Sequence, residues 1–236
     1  METINHHAAA VFILSDETKQ KCVVQVYDNG YPVSLFRSHF NLCGGNAGKD
    51  NSPLSLLKRE LNEEWSDLPL EQESETVGAI IGAPASDVKN VEYVKGRIYA
   101  PRLFRQAFYN AVLGNLVPYR DYRINIAGAP IGKKEDLDFI SSVYVSRINP
   151  LLITELEEEL SQEHELTNEG ITRVFRIDAL MRGDVRGAWA CPTILRDILC
   201  LPFPDYDFVR VTKGEQPRAS FAEYKQDFQY RRDPEC

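Results

Sequence analysis

The chain has 236 residues, 43% apolar and 26% charged, which is enough to bury the core of one substantial domain. Its 35 acidic residues against 27 basic ones give a net charge of −8, which excludes a protein that coats nucleic acid through bulk positive charge. No apolar run approaches the roughly 20 residues that a membrane-spanning helix requires, and the five scattered cysteines form no CxxC pair, so a cytoplasmic protein with no membrane partner is expected.

In chain order, Ala8–Ser15 and Cys22–Tyr27 read as strands separated by the polar turn Asp16–Gln20. Asp28-Asn29-Gly30 marks a second turn, and Val33–Phe40 reads as another strand. Cys43–Gly48 is a glycine-rich loop. Ser52 and Pro53 then supply an N-cap and a first-turn proline for a helix over Leu54–Trp65. Leu54, Leu57, Leu61 and Trp65 fall on one stripe of that helix.

Val77–Ile81 is the next expected strand, and Arg102–Leu116 is a helix bracketed by Pro101 and Pro118. Phe139–Val145 reads as a strand, Leu151–Leu160 as a helix, Thr172–Ile177 as a strand and Pro192–Leu199 as a short helix. From Thr212 the chain is polar and poor in aliphatics, which reads as a loosely held tail. The pattern describes one α/β domain over residues 5–203, with an insertion over about 82–127 and a tail over 204–236.

The chemistry concentrates in the segment from Gly44 to Leu68, whose centre reads Arg59-Glu60-Leu61-Asn62-Glu63-Glu64. On a helix, Glu60, Glu63 and Glu64 stand at i, i+3 and i+4, so their carboxylates share a face. At about 100° per residue, that face lies roughly a quarter-turn from the leucine stripe. Like charges so close repel one another, and a divalent cation removes the penalty. Carboxylate oxygens on a stiff scaffold suit Mg2+ or Mn2+. A solvated acidic helix face is the competing reading of such a run taken alone.

Loop and helix together resemble the Nudix box, whose pattern is G, five residues, E, seven residues, then R-E-U-x-E-E-x-G-U, with U aliphatic. The resemblance spans Gly45–Asp67: Gly45, Arg59, Glu60, Leu61, Glu63 and Glu64 match. Asn51 stands where the pattern has its first Glu, Ser66 where it has Gly, and Asp67 where an aliphatic is usual. Leu56 and Leu57 occupy positions often filled by small residues.

The resemblance implies a Nudix-type α/β/α sandwich with a mixed sheet. It also implies a pyrophosphohydrolase in which Glu60, Glu63, Glu64 and the Gly45 carbonyl hold Mg2+ or Mn2+ while Arg59 orients a carboxylate. The catalytic set is then Arg59, Glu60, Glu64 and a general base. That base is expected in the stretch before the Thr172–Ile177 strand, with Glu169 first and Glu165 second. Many members of the family dimerise, which keeps a homodimer among the expectations.

Tyr119-Arg120-Asp121-Tyr122-Arg123 interleaves aromatics with arginines, and Arg102 and Arg105 share a face of the preceding helix. Arg102, Arg105, Tyr119, Arg120 and Arg123 are therefore candidate substrate contacts, since arginine grips phosphate and tyrosine stacks on bases. An ordinary surface loop is the plainer reading of the Tyr119–Arg123 cluster. Cys43, Trp65 and Trp189 read as core residues, and His164 as a surface residue.

The expected reaction is hydrolysis of a phosphoanhydride in a nucleoside diphosphate linked to another group: a nucleotide sugar, ADP-ribose or a dinucleotide polyphosphate. Capped RNA and a diphosphoinositol polyphosphate are alternatives of the same chemistry. A binding module for nucleotide, RNA or protein is the alternative of another class. The acidity is local: Glu60–Glu75 and Glu155–Glu169 carry seven acidic residues each and no basic one. The remaining chain is net basic, which is compatible with a polyanionic substrate beside an acidic metal site.

Overall fold

A computed structural model describes residues 6–15, 21–27, 30–65, 93–94, 97–98, 102–161, 171–203 and 205–225. The first strands are β1 (His6–Ser15), β2 (Lys21–Val26), β3 (Phe40–Asn41) and β4 (Cys43–Asn46), followed by helix α1 (Pro53–Trp65). Then come the two-residue strands β5 (Tyr93–Val94) and β6 (Arg97–Ile98), helix α2 (Arg102–Gly114), and the long strands β7 (Leu116–Ile126) and β8 (Leu137–Ile148). The chain continues with α3 (Pro150–Ser161), β9 (Ile171–Arg176), α4 (Ile177–Arg182), α5 (Cys191–Leu199) and β10 (Val209–Lys213). Among the described residues, no helix is long and apolar enough to cross a membrane.

Eight strands form one mixed sheet in the order β10-β7-β8-β1-β2-β3, with β4 beside β1 and β9 beside β2. β1 and β8 run parallel over their full register, from His6 against Phe139 to Ser15 against Ile148, while the other pairings in this sheet are antiparallel. Alternation along the strands sends side chains to two apolar layers. Ala9, Val11 and Ile13 pack on one face with Leu56, Leu57 and Leu61 of α1, Phe108 and Val112 of α2, and Ile153 and Leu156 of α3. Phe12 and Leu14 pack on the other face with Tyr122, Ile124, Val143 and Val145, and with Ile177, Leu180, Ile194 and Leu195 of α4 and α5. The architecture is a mixed α/β sheet with helices on both faces, and β1 is apolar from Ala8 to Leu14 because it is covered twice.

β1 and β2 pair only at Ile13–Val23 and Leu14–Cys22, and then they diverge. The segment 40–46 fills the gap: Phe40 and Asn41 pair with β2, Leu42 is buried at the crossing, and Cys43–Asn46 pair with Ala8–Val11. The expected glycine loop thus begins as a strand. Gly44 is required there, because its φ is 142° and a β-carbon would collide with the Ala9 carbonyl oxygen.

The elements expected over 8–15, 22–27, 139–145, 151–160, 172–177 and 192–199 are present within a few residues. Two expectations about local structure are corrected. Val33–Phe40 holds a 3-10 turn at Ser34–Phe36 that buries Phe36, and only Phe40 of the expected strand lies in β3. Tyr119–Arg123 is strand β7, not a loop, with a register shift between Pro118 and Arg120, where proline lacks the N–H that a regular ladder needs. Within the region read as an insertion, α2 and β7 belong to the core. The stretch read as a tail contributes β10, which pairs with β7, and a short turn over Phe221–Lys225 that buries Tyr224. Val77–Ile81 lies outside the described residues.

After β10 the chain bonds to both main-chain groups of Asp121, through Gly214 N–H and the Glu215 carbonyl. It then covers the α1 face of the sheet. The Phe221 and Tyr224 rings pack against His7, at 4.8 and 5.0 Å between centroids. Tyr224 Oη donates to Asp121 Oδ2 at 2.9 Å, and Ser142 Oγ donates to Oδ1 at 2.6 Å. Burial pushes the Asp121 carboxyl up to about 6, against the opposing pull of these hydroxyls and of the Arg218 charge.

Two outcomes are expected. Gly44→Ala forces a strained backbone and a steric clash, so it should lower unfolding free energy by roughly 2–4 kcal/mol in urea titrations; an unchanged midpoint would contradict this packing. Asp121 holds its proton in the folded chain to about pH 6 but releases it near 3.8 when unfolded. Its contribution to stability is therefore greatest below about pH 4 and declines as pH rises to 6, by on the order of 3 kcal/mol. Melting curves of Asp121→Asn and wild type from pH 4 to 7 should shift in favour of the variant, and a pH-independent difference would refute the assignment.

Candidate functional site

Helix α1 starts on a reciprocal cap. Ser52 Oγ accepts from Ser55 N–H at 3.1 Å, Ser52 N–H donates to Ser55 Oγ at 3.1 Å, and Pro53 occupies the first turn. The buried face of α1 comprises Pro53, Leu56, Leu57, Glu60 and Leu61, while Leu54 is exposed. This corrects the expected stripe. Leu56 takes the place assigned to Leu54, which puts Glu60 on the apolar face and not a quarter-turn away. The two leucines found where small residues are common fill the space between α1 and the sheet.

A carboxylate on that face needs both room and a partner. Gly45 of β4 gives the room: a β-carbon there would overlap the Glu60 carboxyl group. Glu60 is 8% exposed. Arg59 is the partner, with Nη2 2.7 Å from Glu60 Oε1.

The same guanidinium binds four groups. Nε and Nη2 both donate to Asp50 Oδ2 at 3.1 Å, Nη2 donates to the Asn46 carbonyl at 3.0 Å, and Nη1 donates to Glu63 Oε2 at 3.0 Å. Partial burial alone would make Arg59 easier to deprotonate. The hydrogen bonds to Asp50 and Glu63 and the charge of Glu60 outweigh it, so the group is held charged more firmly than an ordinary arginine. Glu63 is solvent-exposed, whereas Asp50 is 90% shielded at its side chain.

The structure therefore gathers Gly45, Arg59, Glu60 and Glu63, and it adds Asp50 and the Asn46 carbonyl, which the sequence pattern did not single out. The available signal was an acidic residue directly before the substituted Asn51, in a loop leading to an arginine. Asn51 itself is exposed, and its main-chain carbonyl accepts from Phe221 N–H at 2.9 Å. Glu64 lies on α1 one turn beyond Glu60, and its side chain is outside the described residues, as are Ser66, Asp67, Glu165 and Glu169. Among the described residues, no group of three or more His, Cys, Asp or Glu side chains is gathered closely enough to hold a metal ion.

The candidate substrate residues lie elsewhere. Tyr119 Oη donates to the Asp197 carbonyl at 3.2 Å, and Arg120 Nε is 3.7 Å from the Asp197 carboxylate, so both face α5 with the sheet between them and Glu60. Arg123 shares the α1 face with Asp121 but is bound to Asp138, with Nε at 2.9 Å from Oδ1. Arg102 and Arg105 lie in the first turn of α2, and their side chains are outside the described residues. Cys43 is buried, as expected of a core residue, and Trp189 is half-buried against Phe36 at 4.5 Å between centroids.

No protein-family model matches the sequence, and no curated protein aligns with it significantly. Among solved structures, one similar chain is a Nudix hydrolase from M. smegmatis, RenU, at 12% identity, covering 84% of this chain and 89% of that one, with a TM-score of 0.37. Another is a Nudix-family hydrolase from Clostridium perfringens at 13% identity, covering 84% of this chain and 99% of that one, again with a TM-score of 0.37.

Proposed function

We propose that the chain is a Nudix-type pyrophosphohydrolase that cleaves a phosphoanhydride in a nucleoside diphosphate linked to another group, with Mg2+ or Mn2+ as cofactor. The observation that carries this reading is the pairing of Arg59 with a buried Glu60 seated against Gly45, beside Glu63 on the next turn. A structural acidic face has no need of a glycine notch for one of its carboxylates.

The donors fit a hard divalent cation. Glu60 and Glu63, with Glu64 and the Gly45 carbonyl as further donors, offer only oxygen, and the Gly45 notch is a cradle that any β-carbon would fill. Such an ion, when bound, offsets phosphate charge and acidifies a water. The chain's own contribution is orientation. Arg59 bridges Glu60 and Glu63 through Nη2 and Nη1, and the Asn46 carbonyl fixes Arg59 against the end of β4. Glu169 or Glu165 is the proposed proton acceptor, and Arg102, Arg105 and Arg123 are the proposed contacts to the phosphates or to the group beyond them. Arg120 and Tyr119 stand on the other sheet face and are weaker proposals for that role.

The test is phosphate and nucleotide release with Mg2+ or Mn2+ from ADP-ribose, a nucleotide sugar, a dinucleotide polyphosphate, capped RNA and a diphosphoinositol phosphate. Wild type should turn over at least one of these. Glu64→Gln and the Glu60→Gln/Glu63→Gln double variant should lose 100-fold or more in kcat, the scale of a lost proton acceptor or charge-stabilising group. Wild type and variants equally inactive on every class, with nucleotide binding retained, would establish a binding module instead.

A further inference from the structure

We propose that Asp50 is the positioning residue of this site: it anchors Arg59 to the loop and thereby keeps Glu60 and Glu63 available to a divalent cation. The inference rests on the metal-site reading above and extends it to a residue outside the box pattern. The pattern places an acid at position 51, where this chain has Asn51, exposed and joined to the C-terminal segment through its main chain. Asp50 is turned inward instead. A single oxygen, Oδ2, accepts from Nε and Nη2 of Arg59, and it lies 3.5 Å from Gly48 N–H, so one carboxylate ties the turn after β4 to the middle of α1.

The consequence for the cation follows from charge. Arg59 is a competitor for the carboxylates it orients, since its guanidinium occupies Glu60 Oε1 and Glu63 Oε2. Asp50 draws Nε and one hydrogen of Nη2 the other way, toward the loop. Without Asp50, the full charge of Arg59 falls on Glu60 and Glu63, and a cation must displace a stronger ion pair. The loop also loses its tie to α1, so the separation between Gly45 and Glu60 is no longer fixed from both sides. Both effects weaken metal binding, and supporting groups of this kind are worth about 10–100-fold in affinity.

The test is Mn2+ binding to the full chain, followed by electron paramagnetic resonance and by calorimetry, with the Arg59 Nε–H resonance of the metal-free protein recorded alongside. Asp50→Asn keeps the shape and removes the charge. Asp50→Glu keeps the charge. The expected result is a 10-fold or greater loss of Mn2+ affinity in Asp50→Asn, recovery of most of it in Asp50→Glu, and a shifted Arg59 Nε–H signal in Asp50→Asn while the melting temperature shows the chain still folded. Unchanged Mn2+ affinity in Asp50→Asn, with affinity lost in Glu60→Gln/Glu63→Gln, would overturn the role of Asp50 and leave the metal site standing. Equal affinity in all variants, Glu60→Gln/Glu63→Gln included, would overturn the metal site and this inference together.

Discussion

A single guanidinium joins the two halves of the candidate site. Arg59 carries five N–H donors in one plane, and they reach an acceptor at the end of β4, one in the following loop and two on α1. These acceptors lie on a strand end, a loop and a helix, so the position of Gly45 relative to Glu60 is set by an ionic network as well as by apolar packing. Lysine has no planar fork and cannot bridge these directions at once. Within these contacts one positive charge faces the carboxylates of Asp50, Glu60 and Glu63. That excess of negative charge is what the proposed divalent cation would offset.

Packing makes that network possible. Leu56, Leu57 and Leu61 press α1 onto β1 and β4, which present Ala9 and Val11 of β1 and Cys43 and Gly45 of β4 on that face. The small residues let the helix come close, and closeness is what buries Glu60. Gly44 serves the backbone there, through its positive φ, whereas Gly45 serves a side chain on the helix. The same sheet face is closed farther along by Phe221 and Tyr224, which reach it from the C-terminal segment and bond to Asn51 and Asp121. Loop 47–52 is thus held from one side by Arg59 and from the other by Phe221.

Elements with strong local signals were legible in the sequence. The apolar run of β1, the Ser52-Pro53 start of α1 and the helical spacing of α3 each follow from a few neighbouring residues. The features that depend on distant partners were not. The local strand signal of β7 is the alternation of Tyr122, Ile124 and Ile126 with polar residues, most of it beyond the Tyr119–Arg123 cluster, whose polar groups find their partners on β8 and α5. β10 looks like a tail until β7 is beside it. Within the site, Arg59, Glu60 and Glu63 could be placed on one helix from spacing alone. The inward turn of Asp50 could not, since it depends on how a loop folds back across nine residues. The orientation of Glu60 was misread for a related reason: a leucine stripe chosen by period alone admits Leu54 or Leu56, and only the sheet decides between them.

The burial of the two described carboxylates gives them unequal freedom. Glu63 is largely exposed, and its i, i+4 pair with Arg59 is of the kind worth 0.5 kcal/mol or so, which water readily replaces. Glu60 is shielded on the apolar face, where a carboxylate stripped of its partner costs about 3–5 kcal/mol. Under the proposed metal site, Glu63 would be the carboxylate that a divalent cation could engage at little cost in lost hydrogen bonding, whereas Glu60 would need a positive charge against it at all times. Asp50 would remain the acceptor that keeps Arg59 tied to the loop.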